Sequence, residues 1–154
     1  MKNILALIVL IMSQGIAYAT PKQQYAIGYQ FSWPTSGVSG KYRIDNRVSV
    51  QAELGILGNY TSFWGRANYM FRNKTRWNLY GFGGTGIITT VDDGLTTVGL
   101  KGGAGIEYNL QAVEPEFPPV WVNFEMGLTY FDTDSVKNPL RLGYGLGFHY
   151  YFDL

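Results

Sequence analysis

The chain has 154 residues, a formal net charge of +1 and no Cys, with 15% charged and 16% aromatic residues. Near-neutrality removes the electrostatic footprint of nucleic-acid binding, and the missing Cys removes both a disulfide framework and a lipoprotein route. The charged fraction lies below the roughly 25% usual in soluble domains.

Lys2, the apolar run Ile4 to Met12 and the small-x-small triplet Ala17-Tyr18-Ala19 predict a secretory signal peptide over residues 1–19. Ser13, Gln14 and Gly15 break the run before it reaches the length of a spanning helix. Residues 20–154, beginning at Thr20, then form one domain of about 135 residues.

That domain reads as segments of period two, the signature of strands whose faces meet different solvents. The first, Tyr25 to Trp33, sets Tyr25, Ile27, Tyr29, Phe31 and Trp33 against Ala26, Gly28, Gln30 and Ser32. The second, Val38 to Ile44, opposes Val38, Tyr42 and Ile44 to Ser39, Lys41 and Arg43, and Asp45-Asn46 predicts a two-residue turn at positive φ. The third, Arg47 to Ile56, alternates Val48, Val50, Ala52, Leu54 and Ile56 with Ser49, Gln51 and Glu53. In the fourth, Phe63 to Phe71, Ala67, Tyr69 and Phe71 oppose Arg66 and Asn68, and a polar turn follows over Arg72 to Arg76.

The fifth, Trp77 to Ile88, carries glycines at 81, 83, 84 and 86 that blur its faces. The sixth, Val98 to Leu110, sets Val98, Leu100, Ala104, Ile106, Tyr108 and Leu110 against Lys101, Glu107 and Asn109. Gln111 to Pro119, with three prolines, is long for a turn between adjacent strands. The seventh, Val120 to Tyr130, opposes Val120, Val122, Phe124, Met126, Leu128 and Tyr130 to Asn123, Glu125 and Thr129. In the eighth, begun near Leu140, large residues from Leu142 to Leu154 alternate with Gly143, Gly145, Gly147, His149, Tyr151 and Asp153.

An even number of strands, most of about 9–11 residues, predicts an all-β, eight-stranded antiparallel up-and-down transmembrane barrel with its large residues in lipid. Aromatics toward strand ends, at Tyr25, Trp33, Phe63, Phe71, Trp77, Tyr108, Tyr130 and Tyr150, suit two membrane interfaces. With a periplasmic amino terminus, the external connections are expected at Pro34 to Gly37, Leu57 to Ser62, Thr89 to Thr96 and Phe131 to Pro139.

The inner faces collect the cations Lys41, Arg43, Arg66, Lys101 and Arg141 and the anions Glu53, Glu107, Glu125 and Asp153. An eight-stranded barrel is just wide enough to be filled by side chains, and charges buried there need partners. The expectation is a self-neutralising network that includes His149, with Lys41, Glu53, Arg66 and Glu125 paired near mid-height. No catalytic, cofactor or metal site is predicted. Gly81 to Gly86 matches G-x-G-x-x-G, but β-branched Ile87-Ile88-Thr89-Thr90-Val91 follows where a dinucleotide site needs a helix. His149 is the sole histidine and points inward, with Tyr151 where lipid A deacylase barrels carry serine.

The signal peptide, the alternating segments and the closing Gly147-x-x-Tyr150-x-Phe152 resemble the small outer-membrane β-barrel proteins of the OmpX and OmpA transmembrane-domain kind. That resemblance implies the bacterial outer membrane as location. It also implies recognition of Gly147, Tyr150 and Phe152 by the barrel-assembly machinery, although Phe152-Asp153-Leu154 departs from a terminal aromatic. The function it implies is non-enzymatic: envelope support, or presentation of loops 89–96 and 131–139 to a surface partner. A lipid A-modifying enzyme and a soluble lipocalin-like barrel are the alternatives, and the latter requires apolar residues inside and polar ones outside.

Overall fold

The computed structural model describes residues 24–32, 35–74, 76–92, 94–132 and 140–153. The expected signal peptide, Trp33, Pro34, Thr75, Asp93, Asp134 and Leu154 lie outside them, as do the other residues of 133–139.

Eight strands follow one another: β1 (Tyr25–Ser32), β2 (Thr35–Arg43), β3 (Val48–Leu57), β4 (Tyr60–Asn73), β5 (Trp77–Thr90), β6 (Thr96–Asn109), β7 (Val120–Asp132) and β8 (Leu140–Phe152). Each pairs antiparallel with its neighbours in sequence, and β1 pairs with β8 from Tyr25↔Phe152 to Ser32↔Gly145, closing the barrel. Closure satisfies every edge, the one sheet solution that tolerates an apolar solvent.

The expected connections at the end opposite the termini shrink because the strands run on through them. Ser32 pairs with Thr35, so Thr35 to Gly37 belong to β2, and Leu57 pairs with Tyr60 across Gly58-Asn59. Gly58 takes φ +57°, a conformation that a side chain disfavours. Small polar residues had marked these stretches as loop, yet in a closed wall a Thr or Ser at a rim continues the ladder without cost. Phe131 and Asp132 likewise extend β7.

The β2–β3 turn also differs from the expectation. It spans residues 44–47, and among the described residues no non-glycine adopts positive φ. The Asp45 carboxylate instead accepts hydrogen bonds from the backbone N–H of Arg47 (2.6 Å) and Val48 (2.7 Å), an Asx-type closure. The long β6–β7 connection opens with a 3-10 turn, Leu110–Ala112, whose Asn109 side chain accepts from the Gln111 N–H.

Facing is consistent around the wall. Ile56 (78% exposed), Leu142 (71%) and Tyr144 (71%) point out, whereas Trp64, Glu107 and His149 are fully enclosed. β5, unreadable by pattern, is resolved by pairing: Asn78, Tyr80, Phe82, Gly84 and Gly86 face in with Glu107, Met70, Asn68, Arg66 and Trp64 respectively. The G-x-G-x-x-G residues all lie within this strand.

Candidate functional site: the ion-paired lumen

The interior begins with parity. Alternate residues of a strand must enter the lumen, and the sequence places a Lys, Arg, Glu, Asn or Gln at many of those positions. Taking such groups out of bulk water costs several kcal/mol per ion unless each finds a charged and hydrogen-bonded partner. The structure supplies these partners from across the barrel.

Two centres form. In the first, Arg66 on β4 makes a two-pronged contact with Glu125 on β7, Nη1 to Oε2 at 2.7 Å and Nη2 to Oε1 at 2.6 Å. Tyr80 Oη (2.6 Å) and Asn123 Nδ2 (2.9 Å) also donate to Glu125 Oε1. Arg66 reaches Glu53 Oε1 at 3.3 Å and Gln51 Oε1 from two of its nitrogens, and Lys101 Nζ sits 2.6 Å from Glu53 Oε2. The Phe82 ring lies 4.8 Å from the Arg66 guanidinium carbon, which covers the cation's face where no acceptor exists.

The second centre is Glu107 on β6. Lys41 Nζ donates to its Oε1 at 2.8 Å and Tyr151 Oη to the same oxygen at 3.0 Å, while Asn78 Nδ2 donates to Oε2 at 3.2 Å. Arg43 contributes a longer ion pair at 3.8 Å and stacks over Tyr151 at 4.2 Å.

Glu53, Arg66, Lys101 and Glu125 thus form one centre, while Lys41, expected to pair with them, joins Arg43 on Glu107 in the other. Arg141 and Asp153 lie toward the two ends of β8. Paired inward positions run in one row from Lys41 through Gln51, Arg66, Gly84, Lys101 and Thr129 to Arg141. Strands of a closed barrel are staggered, so such a row climbs. It starts near the terminus end of β2 and leaves at the opposite end of β8, where Arg141 is exposed. Asp153 lies beyond β8 and accepts from the Gln24 N–H at 3.0 Å, pinning the seam between the two ends of the chain.

His149 is fully buried, and its Nε2 lies 3.0 Å from Ser39 Oγ. A serine beside a histidine has the elements of an activated nucleophile, but Ser39 is itself fully buried and also accepts from Gln51 Nε2 at 2.6 Å. Both side chains are sealed inside the wall. Among the described residues no group of His, Asp or Glu is placed to hold a metal.

The bulky lumen residues were hidden from the sequence. Trp64 and Tyr80 are enclosed because glycines stand opposite: a Cβ on Gly86 would collide with the Trp64 indole, and one on Gly105 would lie 2.7 Å from Tyr80. The signal that could have found them is the pairing of inward Trp or Tyr with inward Gly on the neighbouring strand. Gly147 faces inward, whereas Tyr150 faces outward and Phe152, half-buried, closes against Tyr25 at 6.1 Å.

No family model and no curated protein matches the sequence. Solved structures do match the backbone. The de novo designed TMB2.3 shares 16% identity, with 86% of this chain and 96% of that one covered and a TM-score of 0.54. Neisserial surface protein A shares 16% identity, with 84% and 95% covered and a TM-score of 0.51. The Yersinia pestis outer membrane protein Ail shares 17% identity over 84% and 99%, at a TM-score of 0.49. Together with the closed β1-to-β8 order, the matches to TMB2.3 and Neisserial surface protein A show that this chain has the fold of the small eight-stranded outer-membrane β-barrels.

Proposed function

We propose that this protein is an exported, non-enzymatic outer-membrane barrel that supports the envelope as a sealed spanning element. The observation that carries this reading is the inverted wall. Bulky apolar side chains cover the outside, and ion-paired polar ones fill the inside, which is the reverse of a soluble lipocalin-like barrel. In lipid the outer face needs no polar partner, and a lumen this narrow is filled by its own ion-paired side chains.

The signal peptide directs export and is cleaved after Ala19, and the terminus-bearing end faces the periplasm. The barrel-assembly machinery reads the closing strand through Gly147, Tyr150 and Phe152. Two connections at the opposite end are only two residues long, which favours envelope support over a loop-borne adhesive role. Residues 91–95 and 133–139 are the segments left to meet a surface partner.

A heat-modifiable gel shift in the outer-membrane fraction, with a mature mass beginning at Thr20, is the expected result. Recovery in the aqueous phase after detergent extraction would overturn the reading. In planar bilayers the purified barrel is expected to give no steady conductance, and stable open steps would contradict the sealed lumen.

A further inference from the structure

One sector of the wall combines a cationic rim with a furrow in the outer face. The β2–β3 turn (residues 44–47) is tied to the end of β4, which leads into the β4–β5 connection, Asn73 Nδ2 donating to the Asn46 carbonyl at 2.7 Å and the Met70 N–H to the Arg47 carbonyl at 2.7 Å. Together they carry Arg47, Arg72, Lys74 and Arg76 against the single carboxylate of Asp45, which is already occupied by two backbone N–H groups.

A register shift between Met70 and Arg72 leaves both Phe71 and Arg72 exposed. Arg72 thereby pairs with outward Leu79 and stacks 5.4 Å from the Trp77 ring. Cations held among outward aromatics at a strand end are placed where lipid headgroups meet acyl chains.

Further along these strands, past outward Tyr69 and Phe71, the outer face is cut away. Gly40, Ala52, Gly65, Ala67, Gly83 and Thr85 line an open groove of about 750 Å³ that reaches Tyr25, Ile27 and Phe152 on its other side, and a Cβ on Gly65 or Gly83 would meet nothing within 4 Å. The small residues are neighbours by pairing: Gly40 with Ala52, Ala52 with Gly65, Gly65 with Thr85, and Ala67 with Gly83.

We infer that this sector binds an anionic glycerophospholipid, its phosphate held by Arg72, Lys74 and Arg76 and one acyl chain lying in the small-residue groove. The inference rests on the membrane reading above. Charge complementarity selects an anionic headgroup, and the lining, almost wholly apolar, selects a hydrocarbon chain. The exposed carboxylates Glu114 and Glu116 lie on the β6–β7 connection, not on the two elements that carry these cations.

The test uses the mature chain refolded into phosphatidylcholine vesicles containing acyl-brominated phosphatidylglycerol or acyl-brominated phosphatidylcholine, with quenching of Trp fluorescence as the readout. Phosphatidylglycerol is expected to bind about fivefold more tightly, the scale set by one surface cation, and salt should erode the difference. R72Q/K74Q/R76Q should bring the ratio near unity, K74Q alone should lower it part way, and E114Q/E116Q should leave it in place. Filling the groove with A52L/A67L should weaken phosphatidylglycerol quenching while its salt dependence persists.

Equal quenching by the two lipids, or a preference that survives the triple substitution, would overturn the site. Preferential displacement of phosphatidylglycerol by lipid A would overturn the assignment of its source. A heat-modifiable shift in the same vesicles reports insertion independently, so its loss in the unsubstituted chain overturns the membrane reading instead.

Discussion

Glu125 and Met126 are adjacent in sequence and lie in different solvents. Glu125 is 3% exposed and holds Arg66, Tyr80 and Asn123, whereas Met126 is 51% exposed on the outer face. A strand can serve both environments because its side chains alternate, and the same backbone ladder satisfies its polar groups either way. The difference teaches that stability has two independent sources here: partner geometry inside and transfer to lipid outside.

Breaking the inner source should cost most. Glu125→Ala leaves the Arg66 guanidinium buried with Glu53 as its remaining carboxylate, and should destabilise the barrel by about 3–5 kcal/mol in urea unfolding from vesicles. Breaking the outer source at the same height should cost somewhat less. Met126→Arg puts a cation toward lipid near the middle of β7 and is expected to lose about 2–4 kcal/mol in the same titration.

Packing between the two is finer. Gly86 faces Trp64 across β4–β5, and a Cβ there would collide with the indole. Gly86→Ala should cost about 1–3 kcal/mol by overpacking and shift the Trp emission. The smallest effect belongs to a turn outside both solvents' contest: Asp45→Ala removes two acceptor contacts at an exposed site and should cost about 0.5–1.5 kcal/mol. If Asp45→Ala proved as damaging as Glu125→Ala, the lumen would not be the dominant inner source.

Much of the wall was legible in the sequence because period two is a local property. Val48 to Ile56 and Val120 to Tyr130 declare both strand and facing without reference to the rest of the chain. β5 was illegible for a local reason as well, since Gly81, Gly83, Gly84 and Gly86 offer no contrast between faces. Turn lengths were misjudged where Thr35, Ser36 and Gly37 resemble loop residues, because rim positions of a closed sheet accept the same types.

The centres of the lumen were only half legible. By sequence, Lys41 groups with Arg66, Glu53 and Glu125 at mid-height, whereas in the structure Lys41 meets Glu107 in the second centre, since which inward charges share a height depends on the stagger of the strands. The same stagger carries Arg141, inward by parity, out to the exposed rim. The hydrogen-bonding roles of Tyr80, Asn78, Gln51 and Tyr151 gave no separate signal, as each resembles an ordinary strand residue until the opposite wall is known.

A nitroxide scan along β7 tests the inverted wall most directly, and the native lack of Cys makes each single-Cys label unambiguous. In vesicles, accessibility to oxygen dissolved in lipid should peak at positions 122, 124, 126, 128 and 130 and fall at 123, 125, 127 and 129. Loss of that alternation, or peaks on the odd positions, would contradict a barrel with its apolar face in the membrane and its charges sealed within.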